Sequence, residues 1–290
     1  MNALQEQAEA LAAKLPPLLV EAERLASTVS LGVHGRRKPG MGESFWQFRR
    51  YAPEDPSGAI DWRQSAKSQH LFVRQREWEA AESVWFWRDA SATMRFRSQF
   101  APVSKIDRAT VLALALAALL VRGGERIALL GDGQTPASSK GALRRIADEM
   151  TQAKPDTRPL PPDAPVSRNS QLVWLSDFLS PVADIEYAIR RLSESALAGH
   201  LVHIVDPAEA DFPFAGRTRF ESMDAADSEL FGRAESVQSA YRSRFRAHAD
   251  AIRALARRFG WTYAAHRTEE RPETALVALY ASIGGERSKA

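Results

Sequence analysis

Short apolar runs alternate with amphipathic stretches over the last two thirds of the chain. The runs are typical of strands covered on both faces, and the stretches between them have helical periodicity. Because strands and helices alternate, the pattern predicts an α/β fold with a mainly parallel sheet and helices on both faces. The predicted strands lie at 84–87, 126–131, 172–178, 201–207 and 261–268, and the predicted helices at 105–121, 141–150, 181–197, 241–259 and 272–283.

The first 80 residues have a different pattern. Residues 3–29 predict an amphipathic helix interrupted at Pro16–Pro17, and Gly32 to Gly42 form a basic, glycine-rich connector. Aromatic residues, turns and short extended pieces follow. We therefore predict an N-terminal helical and extended segment over 1–80 and an α/β domain over 81–290 that ends in a helix, a strand and a helix. Within that domain, residues 208–237 are acidic and predict a loop.

Composition removes several classes of function. The chain has 290 residues and a net charge of +3, too even a balance to indicate a nucleic-acid partner. It has no cysteine, which excludes thiol catalysis and thiolate metal sites. The N-terminus does not have the pattern of a secretory signal, and the longest apolar run, 111–121, is too short to span a bilayer. We expect a cytoplasmic protein without a membrane segment.

Candidate chemistry lies where the predicted strands end. Asp89 follows the first strand by two residues, and Ser91 and Thr93 come after it at every second position. Asp177 stands in the same place relative to the run LVWL. Parallel strands open at one edge of a sheet, so the two carboxylates are expected to converge there. Carboxylates and hydroxyls suit a hard cation; few charges favour Mg²⁺, with Mn²⁺ or Ca²⁺ as alternatives.

These residues carry a resemblance. DASAT, at 89–93, resembles the D-x-S-x-S signature of the metal-ion-dependent adhesion site of von Willebrand factor A domains, and Asp177 in LSDF matches the aspartate that a later strand supplies. The family takes a further ligand, a threonine, from a third loop. In this chain the loop after the second predicted strand offers Thr135, Ser138 and Ser139 for that role, and we select Ser139. The resemblance implies a von Willebrand factor A-like, Rossmann-like sheet with a metal site of Asp89, Ser91, Thr93, Asp177 and Ser139.

A wider resemblance covers most of the chain. YAPEDPSGAIDWRQSAK (51–67), VRQREWE (73–79) and VDPAEADFPFAG (205–216) resemble the bacterial domain-of-unknown-function 58 family, a branch of the von Willebrand factor A-like proteins. Members are commonly encoded beside MoxR-type AAA+ ATPases. The resemblance implies a non-enzymatic module that binds a protein through a divalent cation, the partner being a MoxR-type ATPase or its client.

The IDW motif within the first of these stretches has an architectural interpretation. We expect Tyr51, Ile60 and Trp62 to be core residues that fix the N-terminal layer. Asp55, Asp61 and Arg63 are expected to form a buried ion-pair network, with Asp61 in contact with an Arg or Lys side chain or with backbone donors.

Other interpretations of the site remain open. Asp89 and its hydroxyls could simply cap the turn, with Arg88 as an internal counter-charge. A haloacid-dehalogenase-like, Mg²⁺-dependent phosphatase also places an aspartate after a buried strand, but Ser91 stands where its general acid is needed. A nucleic-acid binder would require a continuous basic face that joins Arg36–Lys38 to the arginines of 242–258.

Overall fold

A computed structural model describes residues 17–33, 45–52, 60–67, 70–76, 82–152, 159–167, 170–195, 197–223 and 228–286. The chain forms two compact units. The larger contains residues 1–34 and 82–290, and the smaller contains 35–81. The predicted boundary at 81 thus lies where the larger unit resumes, but the first helix, predicted within the N-terminal segment, belongs to the larger unit.

A five-stranded parallel sheet forms the centre of the larger unit, as the alternating pattern predicts. The five strands are β3 (Ser83–Arg88), β4 (Arg126–Leu129), β5 (Gln171–Ser176), β6 (Ala198–Val205) and β9 (Thr262–Arg267). Their order in the sheet is β4-β3-β5-β6-β9. In chain order, β4 pairs with one side of β3, and β5 and the later strands are added on its other side.

Helices cover both faces of this sheet. One core contains Val84 and Phe86 of β3 together with four helices, and a second core contains Trp85 of the same strand together with two. Alternate residues of one strand therefore face different helical layers. The first layer consists of α1 (Pro17–Val33), α3 (Lys105–Arg122), α4 (Lys140–Gln152) and α8 (Pro272–Glu286); the second consists of α5 (Val182–Ser193) and α7 (Glu235–Arg258).

Helix α3 is buried along almost its whole length. The run VLALALAALLV is apolar all round because the sheet covers one side while α1, α4 and α8 pack on the others. Ser104 begins the helix as its N-cap, and its hydroxyl accepts a hydrogen bond from the amide of Asp107 at 3.2 Å. A rigid, buried helix therefore begins directly beside the strand exits.

The stretch predicted as an acidic loop contains structure. The short helix α6 (Pro207–Asp211) follows β6 at once, and an antiparallel pair, β7 (Thr218–Glu221) and β8 (Ser228–Phe231), follows α6. The pair escapes the sequence pattern because its four-residue strands, TRFE and SELF, contain no apolar run. Aromatic rings from Phe212, Phe214 and Phe220 pack on one another beside it.

The smaller unit contains an antiparallel pair, β1 (Phe45–Arg50) and β2 (Phe72–Arg76), and one turn of helix, α2 (Trp62–Ser65). The amide of Tyr51, itself partly buried, donates to the carbonyl of Leu71 at 2.8 Å. Asp61 is the N-cap of α2 and accepts from the amide of Gln64 at 2.9 Å, which confirms the expected bond to a backbone donor.

Two expectations for this unit are wrong: the core position of Trp62 and the burial of Arg63. Trp62 is not a core residue: its side chain is 65% exposed. The one-turn helix contacts the strand pair through Ser65 instead, whose hydroxyl accepts from the amide of Phe72 at 2.9 Å. Arg63 is also exposed, and Asp55 lies outside the described residues.

Candidate functional site

The carboxyl ends of β3 and β5 form the point where the strand order reverses. The loop after β3 leads to α3 on one face of the sheet, and the loop after β5 leads to α5 on the other face. The two loops therefore diverge at this point, and it is at such points that ligands bind in open α/β sheets. Asp89 and Asp177 are the first residues beyond these two strands, so the predicted convergence at one edge is found.

The loop after β3 is ordered by its own polar groups. Asp89 is fully buried, and its Oδ1 accepts from the amide of Ser91 at 2.8 Å. The hydroxyls of Ser91 and Thr93 lie 3.1 Å apart. Ser91 is buried while Thr93 is partly exposed, so this hydroxyl pair extends from the interior to the surface.

The end of β5 adds a second layer of contacts. Ser176 donates its hydroxyl to Oδ2 of Asp89 at 2.8 Å and accepts from the amide of Phe178 at 2.9 Å. Phe178 has φ of 49°, which is uncommon for an aromatic residue, and its buried ring packs against Trp174. His248 of α7 donates to its carbonyl at 2.6 Å. These contacts fix the turn that presents Asp177.

A buried ammonium completes the cluster. Lys105, the first residue of α3, is fully buried and binds Oδ2 of Asp177 at 2.8 Å. Its Nζ also binds Oε1 of Glu209, from α6. Burial acts to lower the pKa of Lys105, but the charges of Glu209 and Asp177 outweigh it and raise that pKa above its usual value. The lysine is therefore charged and joins the exits of β5 and β6.

Asp206 extends this network to the third strand exit. It is fully buried at the end of β6 and caps α6, accepting from the amides of Ala208 and, across the loop after β3, Ser98. Its own amide donates to Oε2 of Glu209 at 3.0 Å, which completes a capping box. One continuous set of hydrogen bonds and ion pairs thus links the ends of β5 and β6.

The surroundings of Asp89 make its carboxyl group costly to ionise. Burial, together with the negative charge of Asp177, raises its pKa to about 6, although the hydrogen bonds from Ser91 and Ser176 act to lower it. A carboxylate that is costly to ionise gains from any cation that comes near it.

Arg88 interacts with Asp89 through its charge but hydrogen-bonds elsewhere. Its guanidinium donates to Oγ1 of Thr110 on α3 at 3.0 Å. Burial lowers the pKa of Arg88 to about 10, against the charges of Asp89 and Asp107, which act to raise it. The cation that binds a carboxylate of the pair directly is Lys105.

Ser139 does not join the other predicted ligands. After β4 the chain doubles back beside that strand, where Ala137 and Ile127 exchange two backbone hydrogen bonds of 3.1 Å. This reversal carries Ser139 toward the amino end of β4, away from the exits. Its exposed side chain accepts from the amide of Ala142 at 3.1 Å and caps α4. Thr135 and Ser138 are likewise exposed.

The remaining donors fit a hard divalent cation. Asp89, Ser91, Thr93 and Asp177 offer two carboxylates and two hydroxyls at one edge, the oxygen set that Mg²⁺ takes together with water. Each carboxylate oxygen has two lone pairs, so the hydrogen bonds to Asp89 leave acceptor capacity. Within the described part of the chain, no three His, Cys, Asp or Glu side chains group as a metal site.

Sequence reasoning missed Lys105, Glu209, Ser176 and Asp206. Asp206-Pro-Ala-Glu209 has the spacing of a capping box with proline at the first helical position, a signal that was available. Lys105 gave no such signal, because its partners lie 72 and 104 residues away along the chain.

Membrane and family comparisons extend these observations. Over the described residues, no helix has the length and apolarity needed to cross a membrane. The chain is 28% identical over 262 residues to the uncharacterized proteins Rv1480 of Mycobacterium tuberculosis (strain ATCC 25618 / H37Rv) and Mb1516 of Mycobacterium bovis (strain ATCC BAA-935 / AF2122/97). Each match covers 84% of this chain and 79% of the relative.

Two solved structures also resemble it at low identity. One is an aerotolerance-related membrane protein from Bacteroides fragilis NCTC 9343, with 16% identity and a TM-score of 0.43 over 71% of this chain and 100% of that one. The other is the conserved hypothetical protein BatB from Bacteroides thetaiotaomicron, with 12% identity and a TM-score of 0.41 over 72% and 100%. Residues 47–254, which include the strand exits, match the model of the protein family of unknown function DUF58, and the chain belongs to that family.

Proposed function

We propose that this protein is a non-enzymatic, cytoplasmic interaction module that binds a partner protein through a divalent cation at the carboxyl edge of its sheet. The observation that carries this proposal is the meeting of Asp89 and Asp177 with the hydroxyls of Ser91 and Thr93 at the point where the strand order reverses. The partner that the family resemblance implies is a MoxR-type AAA+ ATPase or its client.

The charge of the edge supports a cation-dependent contact. Asp89, Asp177 and Glu209 present three carboxylates, of which Lys105 compensates one. Asp89, Ser91, Thr93 and Asp177 would hold the cation, Mg²⁺ by preference and Mn²⁺ or Ca²⁺ as alternatives. When bound, the ion supplies a positive centre with an open position for a carboxylate of the partner. Without it, like charges oppose that contact.

Exposed side chains in the loops after β3 and β5 support a protein partner. Phe100, in the loop after β3, is 44% exposed, and Leu179, in the loop after β5, is 47% exposed. Large apolar side chains beside a charged centre are typical of interface cores, where they exclude water from the polar contact. Arg95 lies exposed in the same loop as Phe100 and adds a donor for acidic groups.

A binding assay with the purified MoxR-type ATPase of the same organism tests the proposal. We expect Mg²⁺ to be required, EDTA to abolish binding, and Asp89→Asn and Thr93→Val each to weaken binding at least about tenfold. Thr135→Val is the matched control, since Thr135 is an exposed threonine in the loop after β4 and should leave affinity unchanged. Binding that is indifferent to EDTA and to both variants would refute the proposal.

The non-enzymatic assignment has its own test. Ser91 occupies the position of the second carboxylate in a haloacid-dehalogenase-type phosphatase, and its Oγ lies against Thr93. We expect no phosphatase turnover with Mg²⁺ and a generic aryl phosphate. Turnover that disappears in Asp89→Asn would assign the site to catalysis instead.

A further inference from the structure

One carboxylate charge at the strand exits is compensated by a group that belongs to the chain itself. Lys105 lies at the first position of a buried helix, with no exposed surface, and its Nζ contacts Asp177 and Glu209 together. The ring of Phe96 lies 5.8 Å from the same ammonium and closes another side of it. The ammonium is therefore confined between two carboxylates that come from different strand exits.

Asp177 cannot serve this ammonium and a divalent cation equally well. Its Oδ2 binds Lys105, and its Oδ1 faces the amide of Leu179 at 3.3 Å. A divalent ion held by Asp89, Ser91, Thr93 and Asp177 would lie close to Nζ in a water-poor environment, where the repulsion of like charges is strong. Lys105 and the ion therefore compete for one carboxylate.

Glu209 gives the displaced ammonium a place to remain. It uses Oε1 for Lys105, while the amide of Asp206 holds Oε2 at 3.0 Å. The capping box of α6 thus keeps Glu209 fixed when Lys105 leaves Asp177. A buried lysine without any carboxylate would be costly, so this second partner makes the exchange feasible.

We propose that Lys105 and a divalent cation are alternative counter-ions of Asp177, so that the cation binds only when the Lys105 ammonium moves from Asp177 to Glu209 alone. This inference rests on the cation site of the proposed function and adds its regulation. The chain carries a built-in competitor that occupies Asp177 in the absence of metal and sets the metal concentration at which the interaction surface forms.

Mn²⁺ binding measured by electron paramagnetic resonance tests this exchange, because the signal of free Mn²⁺ falls as the ion binds. We expect Lys105→Met to bind Mn²⁺ at least about tenfold more tightly than the native chain, since a competing charge has gone. Glu209→Gln should bind it more weakly than the native chain, because Lys105 then keeps Asp177. Adding Asp89→Asn to Lys105→Met should remove the gain.

A double variant separates the competition from a mere change in charge or a loss of folding. Lys105→Met with Glu209→Gln keeps the net charge of the native cluster, and we expect it also to bind Mn²⁺ more tightly than the native chain. Circular dichroism verifies folding, and Mn²⁺ should raise the melting temperature of both Lys105→Met variants more than that of the native chain.

The outcomes distinguish this inference from the proposed function. Folded Lys105 variants that bind Mn²⁺ no better than the native chain overturn the inference, as does the absence of binding by every variant at millimolar Mn²⁺. If they bind no better while the ATPase still requires Mg²⁺, the proposed function stands. If Mn²⁺ binding tightens as expected but no partner binds, the inference stands and the proposed function fails.

Discussion

At the scale of residues, each buried charge at the strand exits has a defined partner. Asp177 and Glu209 share the ammonium of Lys105, while Asp89 and Asp206 rely on hydroxyl and amide donors. Removing one member of a buried ion pair leaves an uncompensated charge, which costs more than the pair contributes.

Lys105→Met should therefore lower the free energy of unfolding by about 3–5 kcal/mol in the absence of divalent ions. Urea denaturation measures the change. Lys140→Met is the matched control, because Lys140 is the first residue of α4 and is exposed; its effect should stay within about 0.5 kcal/mol. Equal effects of the two substitutions would contradict the assigned ion pairs.

His200 gives the fold a dependence on pH. Burial lowers its pKa from 6.5 to about 4, and its ring nitrogens lie 2.9 Å from Gln171 Oε1 and 2.8 Å from Thr262 Oγ1. The unfolded chain takes up a proton near pH 6.5, whereas folded His200 does so only near pH 4. Its contribution to stability is therefore full above about pH 6.5 and is lost as the pH falls toward 4, by up to about 3 kcal/mol.

His200→Gln removes this titration. We expect the loss of unfolding free energy between pH 7 and pH 4.5 to be smaller in this variant than in the native chain, by up to about 3 kcal/mol. Urea titrations at several pH values measure both slopes. Parallel pH profiles for the two proteins would show that His200 does not titrate in this way.

Residue-level prediction from sequence succeeded where a single rule connects distant positions. Asp89 and Asp177 were predicted to meet because parallel strands share an exit edge, whatever lies between them in the chain. Lys105 and Glu209 were not predicted because their meeting depends on where two helices begin relative to the sheet. Trp62 was predicted wrongly from its size, since the one-turn helix that carries it leaves its side chain exposed.

At the scale of elements, β6 packs closely against the ring of Trp261 at Gly199. A Cβ at this position would overlap the ring of Trp261, which is buried between the sheet and α7. Gly199→Ala should therefore lower the free energy of unfolding by about 1–3 kcal/mol, measured by chemical denaturation. Gly232→Ala is the control, since nothing lies within 4 Å of a Cβ there. A neutral Gly199→Ala would mean that Trp261 is free to move.

Elements were predictable in proportion to the length of their pattern. The five sheet strands and the helices behind them were found because long apolar runs and helical periodicity each have one interpretation. The β7–β8 pair was missed because each strand has only four residues, none of them fully buried, and neither contains an apolar run. After β4 the chain turns back beside that strand, which takes Ser139 away from the site. Only one β-bridge, between Ala137 and Ile127, forms there, and one bridge leaves no pattern in the sequence.

At the scale of the whole molecule, one tryptophan of each unit differs in burial and should therefore differ in its contribution to stability. Trp174 is fully buried in the sheet of the larger unit, and Trp62 is mostly exposed on the smaller one. Trp174→Ala should lower the free energy of unfolding by about 3–5 kcal/mol, whereas Trp62→Ala should change it by about 0.5 kcal/mol or less. Urea denaturation compares them, and a large effect of Trp62→Ala would show that its ring is buried in solution.

The packing of the first described helix against the last one sets an order on folding. α1 shares a core with Leu276, Leu279 and Ile283 of α8, and both helices cover α3. During synthesis, α1 and α3 leave the ribosome long before α8 does, and β9 completes the sheet only shortly before. The nascent chain therefore leaves the part of α3 that α8 covers exposed until α8 has emerged, and such exposed apolar surface favours aggregation during folding.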